Sequence, residues 1–362
     1  MLVKNKYLLG LLASVWFSAC QSQPATKPQP ASKTRMSASA VQTDRFRLSA
    51  SPGCADGYPA RIAEGRFITS DGGSFPVPYG HFLESAWGGS AVGWAVGDEM
   101  QPAPDSLEIR WFSYTENKFY EGHFLLPQAR IHALLKQGYW QDDQHKQGTY
   151  NSLALSVVPT GVVVVWLVGR QNQVLIGRYQ ARHIDYDYQQ FQPGADKAVA
   201  MQEARAAMSP AARRESAAGT ISSAKWDNYL KTYPWQVAFS RPLTITDLGL
   251  NYLNAETVAD PPTPDMAAFA QVALAPSRKP VPTSMQLYVA GPYGRQRRLD
   301  LDFPDEQETM AAFQHLHAQH PKEPLTLYVE VDEHLSKAVL SLRAGGQVVP
   351  LPKSKVGSWP VK

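Results

Sequence analysis

Val162 to Val168 reads Val-Val-Val-Val-Trp-Leu-Val, and no other stretch of the chain narrows the fold so far. It is too short to cross a bilayer as a helix. β-Branched side chains suit extended backbone, and a run with no polar alternation suits a strand covered on both faces. The chain must therefore place apolar layers above and below this one strand.

Neighbouring segments carry strand periodicity. Leu107, Ile109 and Trp111 alternate with Glu108 and Arg110, the period of a half-buried strand. Tyr120, Phe124 and Leu126 mark its partner, with Tyr114 to Lys118 as the turn. Earlier, Asp71-Gly72-Gly73 separates Arg61–Thr69 from Ser74–Pro78 and predicts a hairpin. Pro127 opens a helix that Gly138 closes, with Ile131, Leu134 and Leu135 on one face. Leu153 to Val158 and Val174 to Tyr179 flank the valine run as further strands. The stretch from His81 to Gly97 reads as irregular.

The C-terminal part repeats this order. Met285, Leu287 and Val289 alternate, Gly291 to Gly294 turns, and Leu299, Leu301 and Phe303 form the next strand face. Asp305 with Glu308 begins a helix whose core face is Met310, Phe313 and Leu316. Leu325 to Val331 and Ala338 to Leu342 complete it. The expected fold is α+β: two units of mainly antiparallel sheet, each strand-strand-helix-strand-strand with a packed helix, joined by a helical connector. The boundaries are 45–192 for the first domain, 193–240 for the connector, 241–352 for the second domain and 353–362 for a tail. Short helices are expected from Gly194 to Leu230, after which Tyr233-Pro234-Trp235 turns the chain back.

Residues 1–19 have the anatomy of a lipoprotein signal peptide. Lys4 and Lys6 precede an apolar run from Tyr7 to Phe17, and Ser18-Ala19-Cys20 follows. Cys20 is the expected lipid attachment site, taking a diacylglyceryl group and, on its freed amine, a further acyl chain such as palmitate; two or three chains anchor stably where one does not. Residues 20–44, rich in Pro, Ser, Gln and Thr, read as a disordered tether. Gln21 and Ser22 lack the Asp of an inner-membrane retention signal, so the expected place is the periplasmic side of the outer membrane. Cys54 is then left without a partner and reads as a small buried hydrophobe. A net charge of +3 on 362 residues argues against nucleic acid as a partner.

Catalytic patterns are weak. There is no G-x-S-x-G; Ser222 and Lys225 match S-x-x-K without its companion motifs. His315, His317 and His320 share one expected helix, and two of them could chelate a metal, but no carboxylate or Cys completes a site; no cofactor and no metal are expected. Arg295, Arg297 and Arg298 read as a solvated strand edge. The better candidate is a partner-binding surface at Tyr186, Asp187 and Tyr188, with Tyr114 and Glu116, because tyrosine offers large contact area at low entropic cost.

Several segments together resemble a known family: Tyr58-Pro59, Trp87-Gly88, the run Pro104-Asp-Ser-Leu-Glu-Ile-Arg-Trp-Phe-Ser-Tyr-Thr-Glu-Asn-Lys-Phe-Tyr120, Leu126-Pro127, Pro159-Thr160-Gly161-Val162 through Trp166, and Trp226, Tyr229 and Tyr233-Pro234-Trp235. They resemble the proteobacterial lipoproteins catalogued as domain of unknown function 2931, over roughly residues 58 to 240. Thr160 stands where that pattern has glycine. The resemblance implies an immunity lipoprotein: a non-enzymatic periplasmic protein that binds and neutralises a phospholipase effector of type VI secretion. The alternative is a structural or assembly lipoprotein of the envelope. Neither reading expects a small-molecule substrate.

Overall fold

The computed structural model describes residues 44–94, 99–290 and 296–361. Cys20, the signal peptide and nearly all of the tether lie outside them, as does the turn expected at Gly291 to Gly294. The fold is α+β with mainly antiparallel sheets.

The valine run forms the strand Val162–Val168, hydrogen-bonded to Ser152–Val158 on one side and Gln173–Gln180 on the other. Its two faces enter different cores. Val163, Val165 and Leu167 pack with Leu107, Ile109, Trp111, Ile131 and Leu135. Val162, Val164 and Trp166 pack with Trp226, Trp235, Leu248, Leu250 and Leu287. Each such side chain, fully removed from water, contributes about 1.5–3 kcal/mol, so this strand anchors both layers.

The first layer is a six-stranded sheet built on Ala60–Thr69, Pro104–Ser113 and Lys118–Leu125, with short edge strands that include Ser74–Pro76 and Arg182–Ile184. The hairpin at Asp71-Gly72-Gly73 forms, with Asp71 Oδ1 accepting from the Thr69 hydroxyl and the Gly73 amide. The helix Gln128–Gln137 runs from Pro127 to Gly138, whose φ of 57° ends it.

On the other side lies a five-stranded sheet of Ser277–Pro280, Thr232–Phe239, Leu325–Val331, Ala338–Ala344 and Gln347–Pro350. The helix Glu306–Gln319 packs Phe313 edge-on against Trp235, and Asp305 caps it by accepting from Glu308 N. Tyr233-Pro234-Trp235 is not the expected turn; it lies inside the strand Thr232–Phe239. Pro234 is tolerated because the parallel ladder to Leu325–Val331 begins only at Trp235.

Two separate sheet units were the expectation. Instead, nine strands from both halves make one sheet, joined where Gln173 pairs with Thr257. Side chains reinforce this seam. Trp166 Nε1 donates to Asn254 O at 2.8 Å and Trp87 Nε1 to Leu253 O at 2.9 Å. Asn172 donates to Asp260 O and accepts from the amides of Ala259 and Asp260. The residues expected as a tail include a strand, Lys355–Pro360, at the far edge of this sheet. The opposite edge, Ser49–Cys54, runs parallel to Ser152–Val158.

Candidate interaction surfaces

The sequence singled out Tyr114, Tyr186 and Tyr188, and the fold brings them together, but mostly inward. Tyr114 and Tyr188 are buried, and their rings meet Phe112 at 4.9 and 5.3 Å. Tyr186 lies edge-on to Phe119 at 5.2 Å. Phe191 and the helix Lys197–Ala207 close this aromatic cluster. Burial pushes the Tyr114 phenol well above its ordinary pKa. Asp187 stays exposed and caps the short helix Tyr188–Phe191 by accepting from Gln189 N.

Glu116 holds a turn together. Its carboxylate accepts from the Ser113 hydroxyl at 3.0 Å, the Tyr120 hydroxyl at 2.8 Å and the Thr160 amide at 3.1 Å. Replacing Glu116 by alanine strands three half-buried donors. Each unmade bond costs on the order of 1 kcal/mol. We expect E116A to lower unfolding free energy by about 2–3 kcal/mol in urea titration; an unchanged midpoint would mean that the side chain serves only docking.

The same contact explains Thr160. Its φ is +66°, left-handed backbone that a β-branched residue enters at a cost of about 1–2 kcal/mol. The glycine that the resemblance places here would relieve this strain while retaining the amide that Glu116 holds. Glycine also loses more entropy on folding, which offsets part of the gain. T160G is expected to raise stability by roughly 0.5–1 kcal/mol, seen as a higher melting temperature; a lower one would contradict the strain.

A surface that the sequence reading passed over lies on the outer face of the six-stranded sheet. Glu64, Arg110, Glu121 and Arg182 stand opposite one another on four adjacent strands. Arg110 meets Glu64 at 2.9 Å and Glu121 at 2.5 Å, and Arg182 meets Glu121 at 2.8 Å. A second row runs Arg66, Glu108 and His123, with Arg66 to Glu108 at 2.5 Å. Hydrogen bonds from Arg110 and Arg182 hold the Glu121 carboxyl below the usual range. The rows floor an open trough of about 980 Å³. Tyr79, 49 % exposed, lines it and meets the ring of Trp94 at 5.0 Å. Of the five residues chosen from sequence, Tyr186 touches these rows, lying under the Arg110 guanidinium at 4.7 Å. The signal was present in the alternation of Glu108 and Arg110, the polar half of the pattern that located the strand.

The catalytic patterns do not assemble. Ser222 Oγ accepts from Ala224 N, while Lys225 lies over the Trp226 and Tyr229 rings and 3.9 Å from Glu306. His317 packs edge-on against Tyr233, and His320 pairs with Gln347. Arg297 binds Ser358 and Arg298 binds Asp300. Cys54 is fully buried, which raises its thiol pKa. Among the described residues, no group of three or more His, Cys, Asp or Glu could hold a metal, and no helix is long and apolar enough to cross a membrane.

The model of the family described as protein of unknown function, DUF2931, matches residues 22–236, more than half of the chain. The chain belongs to that family. No curated protein and no solved structure matches it. The DUF2931 match ends inside the strand Thr232–Phe239. It therefore contains the trough, the aromatic cluster and the first part of one strand of the five-stranded sheet, whose other four strands come from later residues. The match also begins earlier than the quoted segments, taking in residues 22–57.

Proposed function

We propose that this DUF2931 protein is a lipid-anchored periplasmic protein that acts by binding another protein, and that the trough on the six-stranded sheet is the docking face. The observation that carries this reading is the double row of opposed charges across adjacent strands, edged by exposed Tyr79 and Trp94. A sheet fixes the spacing of such charges, so a complementary partner meets a prearranged pattern and pays little ordering cost. The Cys20 signal and the tether support the location: acyl chains confine the protein to a membrane surface and raise its effective concentration against a partner working there.

Within this reading the partner is a phospholipase effector delivered by type VI secretion, and binding neutralises it. The support is the family resemblance together with the membrane placement. The test is protection. A type VI secretion phospholipase effector of the native host is sent to the periplasm of a sensitive strain, with and without this protein. Survival restored by the protein supports immunity; equal killing in both rejects it.

A further inference from the structure

A second cleft, distinct from the trough, carries a different chemistry. It opens between the Tyr114 to Lys118 turn and the helices Lys197–Ala207 and Pro210–Ala218, with a volume of about 780 Å³. Lys118, Arg205 and Arg213 line it, against one carboxylate, that of Glu116. Glu116 is already engaged by three donors. None of the three cations forms an ion pair or side-chain hydrogen bond with a described residue. On the neighbouring sheet face, by contrast, Arg66, Arg110 and Arg182 all have carboxylate partners.

The floor of the cleft supplies the second observation. Thr115 lines it, is 4 % exposed, and its hydroxyl has no hydrogen-bond partner. A buried hydroxyl left unmade is costly, and its persistence beside three free cations fits an acceptor that arrives from outside. Met201, Met208 and Ile221 add an apolar wall.

We propose that this cleft binds a small molecule carrying a phosphate group next to an apolar portion. Guanidinium forks match phosphate oxygens in pairs, the lysine adds a point charge, and the Thr115 hydroxyl donates one further bond. The phosphate could be that of an anionic lipid headgroup or of a soluble organic phosphate, and both present the same chemistry to the site. This site stands apart from the docking face, so its failure leaves the protein-binding reading untouched, and the converse also holds.

The test is calorimetric titration of the full-length chain held in non-ionic amphipol. Three probes are used: glycerol 3-phosphate, dihexanoyl phosphatidylglycerol below its micelle concentration, and dihexanoyl phosphatidylcholine as the zwitterionic control. Binding of either anionic probe, at least tenfold weaker in the exposed double variant R205Q/R213Q, supports the site. Phosphatidylglycerol alone would identify a lipid headgroup; glycerol 3-phosphate with equal affinity would identify a soluble source. T115V should weaken binding several-fold without lowering the melting temperature, while T115S should retain it. The proposal is overturned if neither anionic probe binds, if phosphatidylcholine binds as tightly, or if the double variant binds as wild type.

Discussion

A chain ended after Ser240 is expected to lose cooperative folding, although it contains the whole family match. The cut removes Leu325–Val331, the parallel partner of Thr232–Phe239, and Ser277–Pro280, its antiparallel partner. It also removes Leu248, Leu250, Met285, Leu287 and Phe313 from the core that covers Val162, Val164, Trp166, Trp226, Tyr229 and Trp235. Exposing six large apolar side chains costs on the order of 10 kcal/mol. That equals the entire stability of an ordinary domain. Residues 44–240 should therefore show a broad, non-cooperative thermal transition by near-ultraviolet circular dichroism. A sharp two-state transition would show that the first half carries its own closed core and that the shared sheet is incidental.

Replacing Trp166 by alanine should be the most damaging single substitution. The indole is fully buried, meets Trp87 edge-on at 5.0 Å, and spans the seam by donating to Asn254 O. Truncation of a buried tryptophan costs about 3–5 kcal/mol, and a carbonyl left without its donor adds to that. The loss approaches the margin by which proteins stay folded. W166F separates the two contributions: it keeps most of the ring volume, loses the hydrogen bond, and should cost roughly 1–3 kcal/mol. Denaturant midpoints of both variants measure this; a loss below about 1 kcal/mol for W166A would place the seam's strength elsewhere.

The elements legible in the sequence are those whose pattern is local. Leu107, Ile109 and Trp111 declare their strand by alternation, and Asp305 with Glu308 declares the start of its helix. The valine run declares burial on both faces, and both faces are buried. Elements held by distant partners left no such mark. Ser49–Cys54 contains Pro52 and Gly53, poor strand residues, and is a strand because it lies at a sheet edge paired to Ser152–Val158. The join of Gln173 to Thr257 is a single pairing across 84 positions, invisible to any periodicity.

The candidate surface divides in the same way. Tyr186, Asp187 and Tyr188 alternate acid with aromatic, which suggests an outward face. Their environment is set by Phe112, Phe119 and Phe191, which come from other segments and draw Tyr188 inward. The opposed charges were written in the strands themselves, but opposition depends on register, and register is a property of two strands at once. Thr160 shows a third case. The residue that the resemblance marks as a departure from glycine has left-handed backbone, a conformation glycine enters without strain.

The direct test of the binding account is calorimetric titration of this protein with a type VI secretion phospholipase effector of its native host, as wild type and as the charge-reversed variant R66E/R182E. Arg66 and Arg182 are 58 % and 76 % exposed, so the reversal alters the trough while sparing the core. The account predicts tight binding by wild type and a loss of at least tenfold in the variant, with an unchanged circular dichroism spectrum. No binding by wild type, or equal affinity for both, would contradict it.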